Sequence, residues 1–185
     1  MKGFEVLRHL AEELTSKDII VSSNGNISRE VYHLLPQPQI YLRGSMGLPV
    51  SVGLGLALAR PDKRIIVITG DGNFLMGLGS VTTTSFYSPS NLRILILDNN
   101  KYYTTGGQKT VSSTIQFSKF LKSLKINEQF SKNAKIDEIK DDLRAFLNTE
   151  RFSVLHLVIE ESKLALENIP WHPEKIAEKI ISKIS

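Results

Sequence analysis

The chain has 185 residues, enough for a single domain that buries a sizeable core without support from disulfides or a structural metal. Hydrophobic residues make up 41% and charged residues 23%, which excludes disordered and collagen-like proteins, and the absence of cysteine excludes disulfides, thiolate zinc sites and a cysteine nucleophile. The net charge of +4 is spread evenly along the chain, so we expect no basic segment for binding nucleic acid or an anionic membrane.

The sequence contains no segment that is typical of a membrane-spanning helix. The longest strongly apolar stretch without a charge, residues 44–59, contains four glycines and a proline and is shorter than the ~20 residues that a spanning helix needs. The first residues mix charges into a helical pattern and lack the apolar core of a signal peptide. We therefore expect a cytoplasmic protein.

Helical and strand-like segments alternate along the chain. Periodic apolar residues or small-residue runs predict helices over residues 4–14, 28–35, 47–59, 72–86, 117–124 and 137–147, and a last helix after Pro173. Short apolar runs predict strands over residues 19–21, 40–42, 65–69, 92–97 and 154–159. This alternation indicates an α/β fold, a single domain over residues 1–185 with a mostly parallel sheet and helices on both faces. Such a sheet binds ligands at the carboxyl ends of its strands.

One predicted strand ends in Gly70-Asp71-Gly72 and continues directly into a helix. The glycines let the backbone approach a ligand, and the free N–H groups at the start of the helix favour an anion such as a phosphate. Asp71 would repel that anion unless a divalent cation lay between them, so we interpret Asp71 as a Mg²⁺ ligand. These residues alone leave open the alternative that Asp71 caps the helix.

A second predicted strand ends in Asp98-Asn99-Asn100-Lys101. Because neighbouring parallel strands place their carboxyl ends side by side, an Asn oxygen and a loop carbonyl from this segment can meet Asp71 and two phosphate oxygens around one octahedral Mg²⁺. An Asn-rich turn without a ligand is the alternative for this segment taken alone. The two strand ends together predict a metal and diphosphate site more specifically than either does.

The spacing of the two segments resembles the motif of thiamin diphosphate enzymes, in which Gly-Asp-Gly is followed after about 25 residues by Asn-Asn or a variant. Here 25 residues separate Gly72 from Asp98-Asn99. The resemblance implies a thiamin diphosphate-binding fold with thiamin diphosphate and Mg²⁺ as cofactors, and it implies that Asp71, Asn99 and the main-chain carbonyl of Lys101 hold the metal.

The segment Gly44-Ser45-Met46 resembles the part of these enzymes that folds around the two rings of the cofactor. The resemblance implies catalytic roles for Gly44, whose carbonyl would accept from the 4′-amino group, and for Met46, which would wedge the cofactor into its bent form. A core methionine at the start of a helix is the alternative for Met46. The other residues expected to contact the cofactor are Asn24, Gly25, Asn26, Gly70, Gly72, Asn73, Tyr102, Tyr103 and Thr104.

More narrowly, the runs GSMGLPVSVGLGLALARPDKRIIVITGDGNFLMGLGS and LDNNKYYTTGGQKT are similar to the β subunit of sulfopyruvate decarboxylase and to the C-terminal half of phosphonopyruvate decarboxylase. The resemblance implies a decarboxylase subunit that acts on a small-molecule 2-oxo acid. It also implies a companion pyrimidine-binding α subunit, which supplies the glutamate at N1′ of the cofactor. An acetolactate synthase-like lyase or ligase and a non-catalytic cofactor-binding subunit are the alternatives.

Other ligand motifs fit the sequence poorly. Leu75 occupies the place of the third glycine in a dinucleotide-binding motif, and no P-loop motif is present. His9, His33, His156 and His172 are far apart and do not have metal-ligand spacing, so we interpret them as surface or structural histidines.

Overall fold

The computed structural model describes residues 1–35, 39–161 and 164–184. Its eight α-helices are α1 (Gly3–Glu13), α2 (Asn26–Leu34), α3 (Pro49–Ala59), α4 (Asp71–Met76), α5 (Leu78–Tyr87), α6 (Phe117–Ser123), α7 (Ile139–Asn148) and α8 (Pro173–Ile184). The strands in the described part of the chain are β1 (Asp18–Ser22), β2 (Gln39–Tyr41), β3 (Arg64–Gly70), β4 (Leu92–Asp98), β5 (Lys101–Tyr102), β6 (Gln108–Lys109), β7 (Asn127–Asn133) and β8 (Ser153–Val158). Short 3-10 turns cover Tyr103–Thr105 and Ser112–Thr114.

Six strands form one sheet in the order β2-β1-β3-β4-β8-β7, and every pairing in it is parallel. The two remaining strands, β5 and β6, form a short antiparallel hairpin beyond the end of β4. The prediction of an α/β fold with a parallel sheet is therefore confirmed. The edge strand β7 was not predicted from the sequence.

Both faces of the sheet are covered by helices, and alternate residues of each strand point into separate cores. Ile66 and Ile68 of β3 pack in the core that contains α1, α2 and α7, whereas Ile65 and Val67 pack in the core that contains α3, α4, α5 and α6. Central strands β3 and β4 are buried along nearly their whole length. The continuous apolar runs in the sequence reflect this burial on both faces.

The small residues of α3 allow this helix to approach the sheet closely. A Cβ atom added at Gly53 would lie 2.2 Å from Cγ2 of Val67 on β3, so only glycine fits at this position. A Cβ added at Gly55 on the same helix would meet no atom within 4 Å. Packing against the sheet therefore requires glycine at position 53, and it does not require glycine at position 55.

The predicted helix over residues 72–86 is wrong in one respect, because Gly77 divides it into α4 and α5. A Cβ on Gly77 would lie 2.2 Å from the carbonyl oxygen of Gly47. The backbones of Gly47 and Gly77 are in close contact here, so only glycine fits at the break between α4 and α5. Among the described residues, no helix is both long enough and apolar enough to cross a membrane.

Candidate active site

The loops that carry the predicted site residues meet at one end of the sheet. The neighbouring strands β1, β3 and β4 end at Ser22, Gly70 and Asp98, and the loops that follow them line a single cleft. All predicted site residues except two lie in the lining of this cleft: Asn24, Gly25, Asn26, Met46, Gly70, Asp71, Gly72, Asn73, Asn99, Lys101, Tyr102, Tyr103 and Thr104. The structure thus brings together segments that are up to 80 residues apart in sequence, from Asn24 to Thr104.

The two predicted residues that do not line the cleft, Gly44 and Ser45, lie in the exposed turn before Met46. This turn has left-handed backbone at Gly44 (φ 85°), Ser45 (φ 52°) and Gly47 (φ 90°). Glycine adopts such angles without strain, and Ser45 does not. The turn places the half-buried Met46 at the cleft, while Gly44 and Ser45 face solvent.

Asn73, at the start of α4, connects two of the loops to this helix. Its Oδ1 accepts a hydrogen bond from the Gly47 backbone N–H (2.9 Å), and its Nδ2 donates to Oδ1 of Asn24 (2.6 Å). Asn73 is 6% exposed, so these bonds are made away from competing water. The sequence indicated only that Asn73 follows the Gly-Asp-Gly motif, and the structure adds its role in fixing the cleft.

Asp71 is a buried carboxylate, 2% exposed, at the first position of α4. Burial raises its pKa from 3.8 to about 6; the nearby Asp98 also raises it, and hydrogen bonds from the Thr110 hydroxyl and from backbone N–H groups partly offset this. The carboxylate thus lies at the cleft with little solvation for its charge. A cation bound beside it would supply the missing stabilisation.

Hydrogen bonds fix the loop from Asp98 to Lys101. Asp98 accepts from the Asn100 N–H (2.9 Å) and from the Ser112 hydroxyl, and it is paired with Nε2 of His156 (2.9 Å). Burial alone would raise the pKa of Asp98, but the hydrogen bonds from His156, Ser112 and the Asn100 amide hold it below its ordinary value. Asp98 is therefore a structural anion that shapes the loop.

The same loop presents Asn99 to the cleft. The Asn99 Oδ1 atom accepts from the Lys101 N–H (3.0 Å), and Asn100 has left-handed backbone (φ 58°). The Lys101 ammonium pairs with Glu161 (3.1 Å). These contacts set the turn, and Asn99 and Lys101 lie in the wall of the cleft that also contains Asp71.

Only glycine fits at position 72, because the ring of Tyr102 occupies the space that a side chain would need. A Cβ atom at this position would lie 2.2 Å from Cε1 of Tyr102 and 3.0 Å from Cγ2 of Thr110. The hairpin of β5 and β6 therefore packs directly on the start of α4. Asp71, the carboxylate between the two glycines, is therefore covered by the hairpin segment on one side and faces the cleft on the other.

The oxygen donors of the cleft fit a magnesium ion that is shared with a ligand. Among the described residues, no three His, Cys, Asp or Glu side chains cluster in a way that could hold a metal alone. Mg²⁺ is commonly held by one or two protein carboxylates together with phosphate oxygens, water and amide or carbonyl oxygens. Asp71, with Asn99 and Lys101 in the same wall, suits that kind of site.

Several polar residues of this region were not predicted from the sequence. Thr110 and Ser112 contact Asp71 and Asp98, and Glu30, 6% exposed, lines the cleft from α2. The interpretation of His156 as a structural histidine agrees with its burial and with its stacking on Phe117 at a centroid distance of 4.0 Å. No spacing rule connects these residues to the Gly-Asp-Gly segment, because α2, β8 and the segment after β6 bring them there through the fold.

The fold, the cleft and the motif define a class of protein. The chain belongs to the thiamine pyrophosphate enzymes, because the model of their C-terminal TPP-binding domain matches residues 23–157. A sulfopyruvate decarboxylase subunit beta from Methanocaldococcus jannaschii is 44% identical over 110 residues, which are 59% of this chain and 58% of that protein. A phosphonopyruvate decarboxylase from Streptomyces hygroscopicus is 35% identical over 175 residues, which are 94% of this chain and 43% of that protein.

The chain spans about half the length of these two relatives. Among solved structures, the 2-oxoglutarate:ferredoxin oxidoreductase from Magnetococcus marinus matches with a TM-score of 0.71 at 18% identity, over 90% of this chain and 63% of that chain. A likeness at this identity concerns the fold alone. The predicted family and the thiamin diphosphate-binding fold are confirmed.

Proposed function

We propose that this chain is the cofactor-binding subunit of a thiamin diphosphate- and Mg²⁺-dependent 2-oxo acid decarboxylase. The observation that carries the proposal is the meeting of the Gly70–Gly72 segment and the Asn99 loop in one cleft, at the carboxyl ends of β3 and β4. When it is bound, the cofactor supplies a nucleophilic carbon and an electron sink for the chemistry. The chain itself has to bind, orient and shield that cofactor.

Different residues of the chain would bind the metal, the diphosphate and the rings of the cofactor. Asp71, Asn99 and the Lys101 carbonyl would hold Mg²⁺, and the Asn24–Asn26 loop, tied to Asn73, would contact the diphosphate. Met46 would support the bent form of the cofactor from the edge of the cleft. The Gly44 carbonyl, in the exposed turn beside Met46, would accept a hydrogen bond from the 4′-amino group.

We infer that the active site is completed by a companion chain. Enzymes of this family need a carboxylic acid at N1′ of the cofactor, and in the family that glutamate belongs to a separate pyrimidine-binding domain. The described residues of this chain build one six-stranded sheet with its covering helices and the short β5–β6 hairpin. The relative from Methanocaldococcus jannaschii is itself named as a subunit beta, which supports a companion α subunit.

The names of the two relatives point to a substrate that is a pyruvate with an anionic group on C3. Sulfopyruvate is our first candidate, because the more identical of the two relatives described above is a sulfopyruvate decarboxylase subunit. Phosphonopyruvate is the second, because similarity to a phosphonopyruvate decarboxylase extends over 94% of the chain. Both compounds lose CO₂ from the same 2-oxo acid group, so one assay compares them.

The test is a CO₂-release assay on this chain purified with its companion subunit, with thiamin diphosphate, Mg²⁺ and either sulfopyruvate or phosphonopyruvate. We expect turnover by the pair that saturates at a fixed ratio of the two chains, and no turnover above free cofactor by this chain alone. Robust decarboxylation by this chain alone would refute the split site. A pair that binds the cofactor but releases no CO₂ from any 2-oxo acid would favour a non-catalytic subunit.

A further inference from the structure

A short segment after the β5–β6 hairpin connects the two loops of the proposed metal site. The Thr110 hydroxyl donates a hydrogen bond to Oδ2 of Asp71, and the Ser112 hydroxyl donates to Oδ2 of Asp98. Thr110 is 6% exposed and Ser112 is 3% exposed. The hydroxyls are thus buried between the end of β4 and the start of α4.

Backbone contacts of the segment strengthen this connection. The Thr110 N–H donates to the Asn100 carbonyl (3.0 Å), and the Ser112 N–H donates to the Thr110 hydroxyl oxygen (3.3 Å). The Thr110 hydroxyl therefore accepts one hydrogen bond, and this leaves its proton directed at the Asp71 carboxylate. Thr110 touches both the loop that carries Asn99 and the side chain of Asp71.

We propose that Thr110 is a positioning residue that holds Asp71 as a one-oxygen ligand for the divalent cation. Its hydroxyl donates to Oδ2 of Asp71, so Oδ1 would be the oxygen that is offered to the metal. The inference rests on the proposed function, because it assumes that Asp71 is the metal ligand. Groups that orient a ligand in this way affect metal affinity although they never touch the metal.

The hydrogen bond from Thr110 to Asp71 should also affect which divalent cation binds more tightly. Ca²⁺ accepts a carboxylate through both oxygens and tolerates irregular geometry, whereas Mg²⁺ requires compact octahedral geometry with single oxygens. The hydrogen bond from Thr110 would disfavour two-oxygen binding by Asp71, because it already uses a lone pair of Oδ2. We expect that loss of the hydroxyl weakens Mg²⁺ and Mn²⁺ more than Ca²⁺.

The experiment compares Thr110→Val, which keeps the shape and removes the hydroxyl, with Thr110→Ser, which keeps the hydroxyl. Thr114→Val is the matched control, because the exposed Thr114 hydroxyl bonds only to the Val111 carbonyl among the described contacts. Free Mn²⁺ is measured by electron paramagnetic resonance in a titration of each full-length variant with thiamin diphosphate at millimolar concentration. Competition with Ca²⁺ follows, and circular dichroism checks the fold.

We expect Thr110→Val to weaken Mn²⁺ binding about 10-fold or more and to shift the Mn²⁺ to Ca²⁺ affinity ratio towards Ca²⁺, as for other residues that orient metal ligands. Thr110→Ser and Thr114→Val should match the parent. If the parent binds Mn²⁺ and Thr110→Val binds it equally well, or if Thr110→Ser is as weak as Thr110→Val, the role of the hydroxyl is refuted and the proposed function stands. If the parent chain binds no Mn²⁺ with thiamin diphosphate, both proposals are refuted.

Discussion

Replacing Asp71 by Asn should make the cofactor-free protein more stable while it removes metal-dependent cofactor binding. The carboxylate is buried, and its pKa is raised from 3.8 to about 6, so its ionised form destabilises the fold. The difference between these pKa values corresponds to about 3 kcal/mol at most. Solvent reaches the mouth of the cleft and screens part of this electrostatic cost. We therefore expect Asp71→Asn to raise the free energy of unfolding by about 1–2 kcal/mol at pH 7.5.

The pH dependence follows from the direction of the pKa. Well below pH 3.8, Asp71 is protonated in both the folded and the unfolded chain, and the Asn variant has no advantage. As the pH rises from 3.8 to about 6, the unfolded state ionises before the folded state does, so the parent loses stability. The difference between variant and parent should grow across this range and stay constant above it.

Urea unfolding at about pH 3 and at pH 7.5, in metal-free buffer, measures how the free energy of unfolding differs between variant and parent. For a domain of this size, 1–2 kcal/mol corresponds to a melting temperature about 2–8 °C higher. Asp137→Asn, at an exposed position, is the control and should change stability by less than about 0.5 kcal/mol. An Asp71→Asn protein that is less stable than the parent at pH 7.5 would refute the reasoning about the buried charge.

Two further predictions concern packing and the cofactor wedge. Gly53→Ala should destabilise the fold by about 1–3 kcal/mol, because the new Cβ would lie 2.2 Å from Val67, whereas Gly55→Ala in open space should be neutral or stabilise it by about 0.5–1 kcal/mol. Urea unfolding of both variants is the measurement, and equal stability would contradict the proposed close approach. Met46→Ala should leave cofactor affinity nearly intact in the two-chain complex but slow proton–deuterium exchange at C2, since that step depends on a short distance. An unchanged exchange rate, followed by NMR, would exclude the wedge role.

The sequence predicts the centre of the fold well because the signals there are strong. The strands β3 and β4 are apolar runs buried on both faces, and their polar ends identify the cleft. The edge strand β7 has the sequence NEQFSKN, which has neither an apolar run nor alternation. Such a strand forms because β8 offers a free edge, and this tertiary cause leaves no local signal.

The residues of the site that belong to a sequence motif could be predicted. The residues that reach the site only through contacts between distant segments could not. The spacing of Gly70–Gly72 and Asn99 identifies the two loops, and the structure places them together. The link through Thr110 depends on a hairpin that returns the chain to Asp71, 39 residues away. The break at Gly77 lies where the chain meets the distant Gly47, a contact that helical periodicity does not record, so the sequence pattern predicted a continuous helix.

The most direct test of the account is a calorimetric titration of thiamin diphosphate into the purified chain, once with Mg²⁺ and once with EDTA. We expect one binding event with Mg²⁺, weak in the absence of the companion chain, and none with EDTA, because the diphosphate would then face the unneutralised Asp71 carboxylate. Binding of equal strength in EDTA, or no binding with Mg²⁺ at millimolar cofactor, would contradict the account.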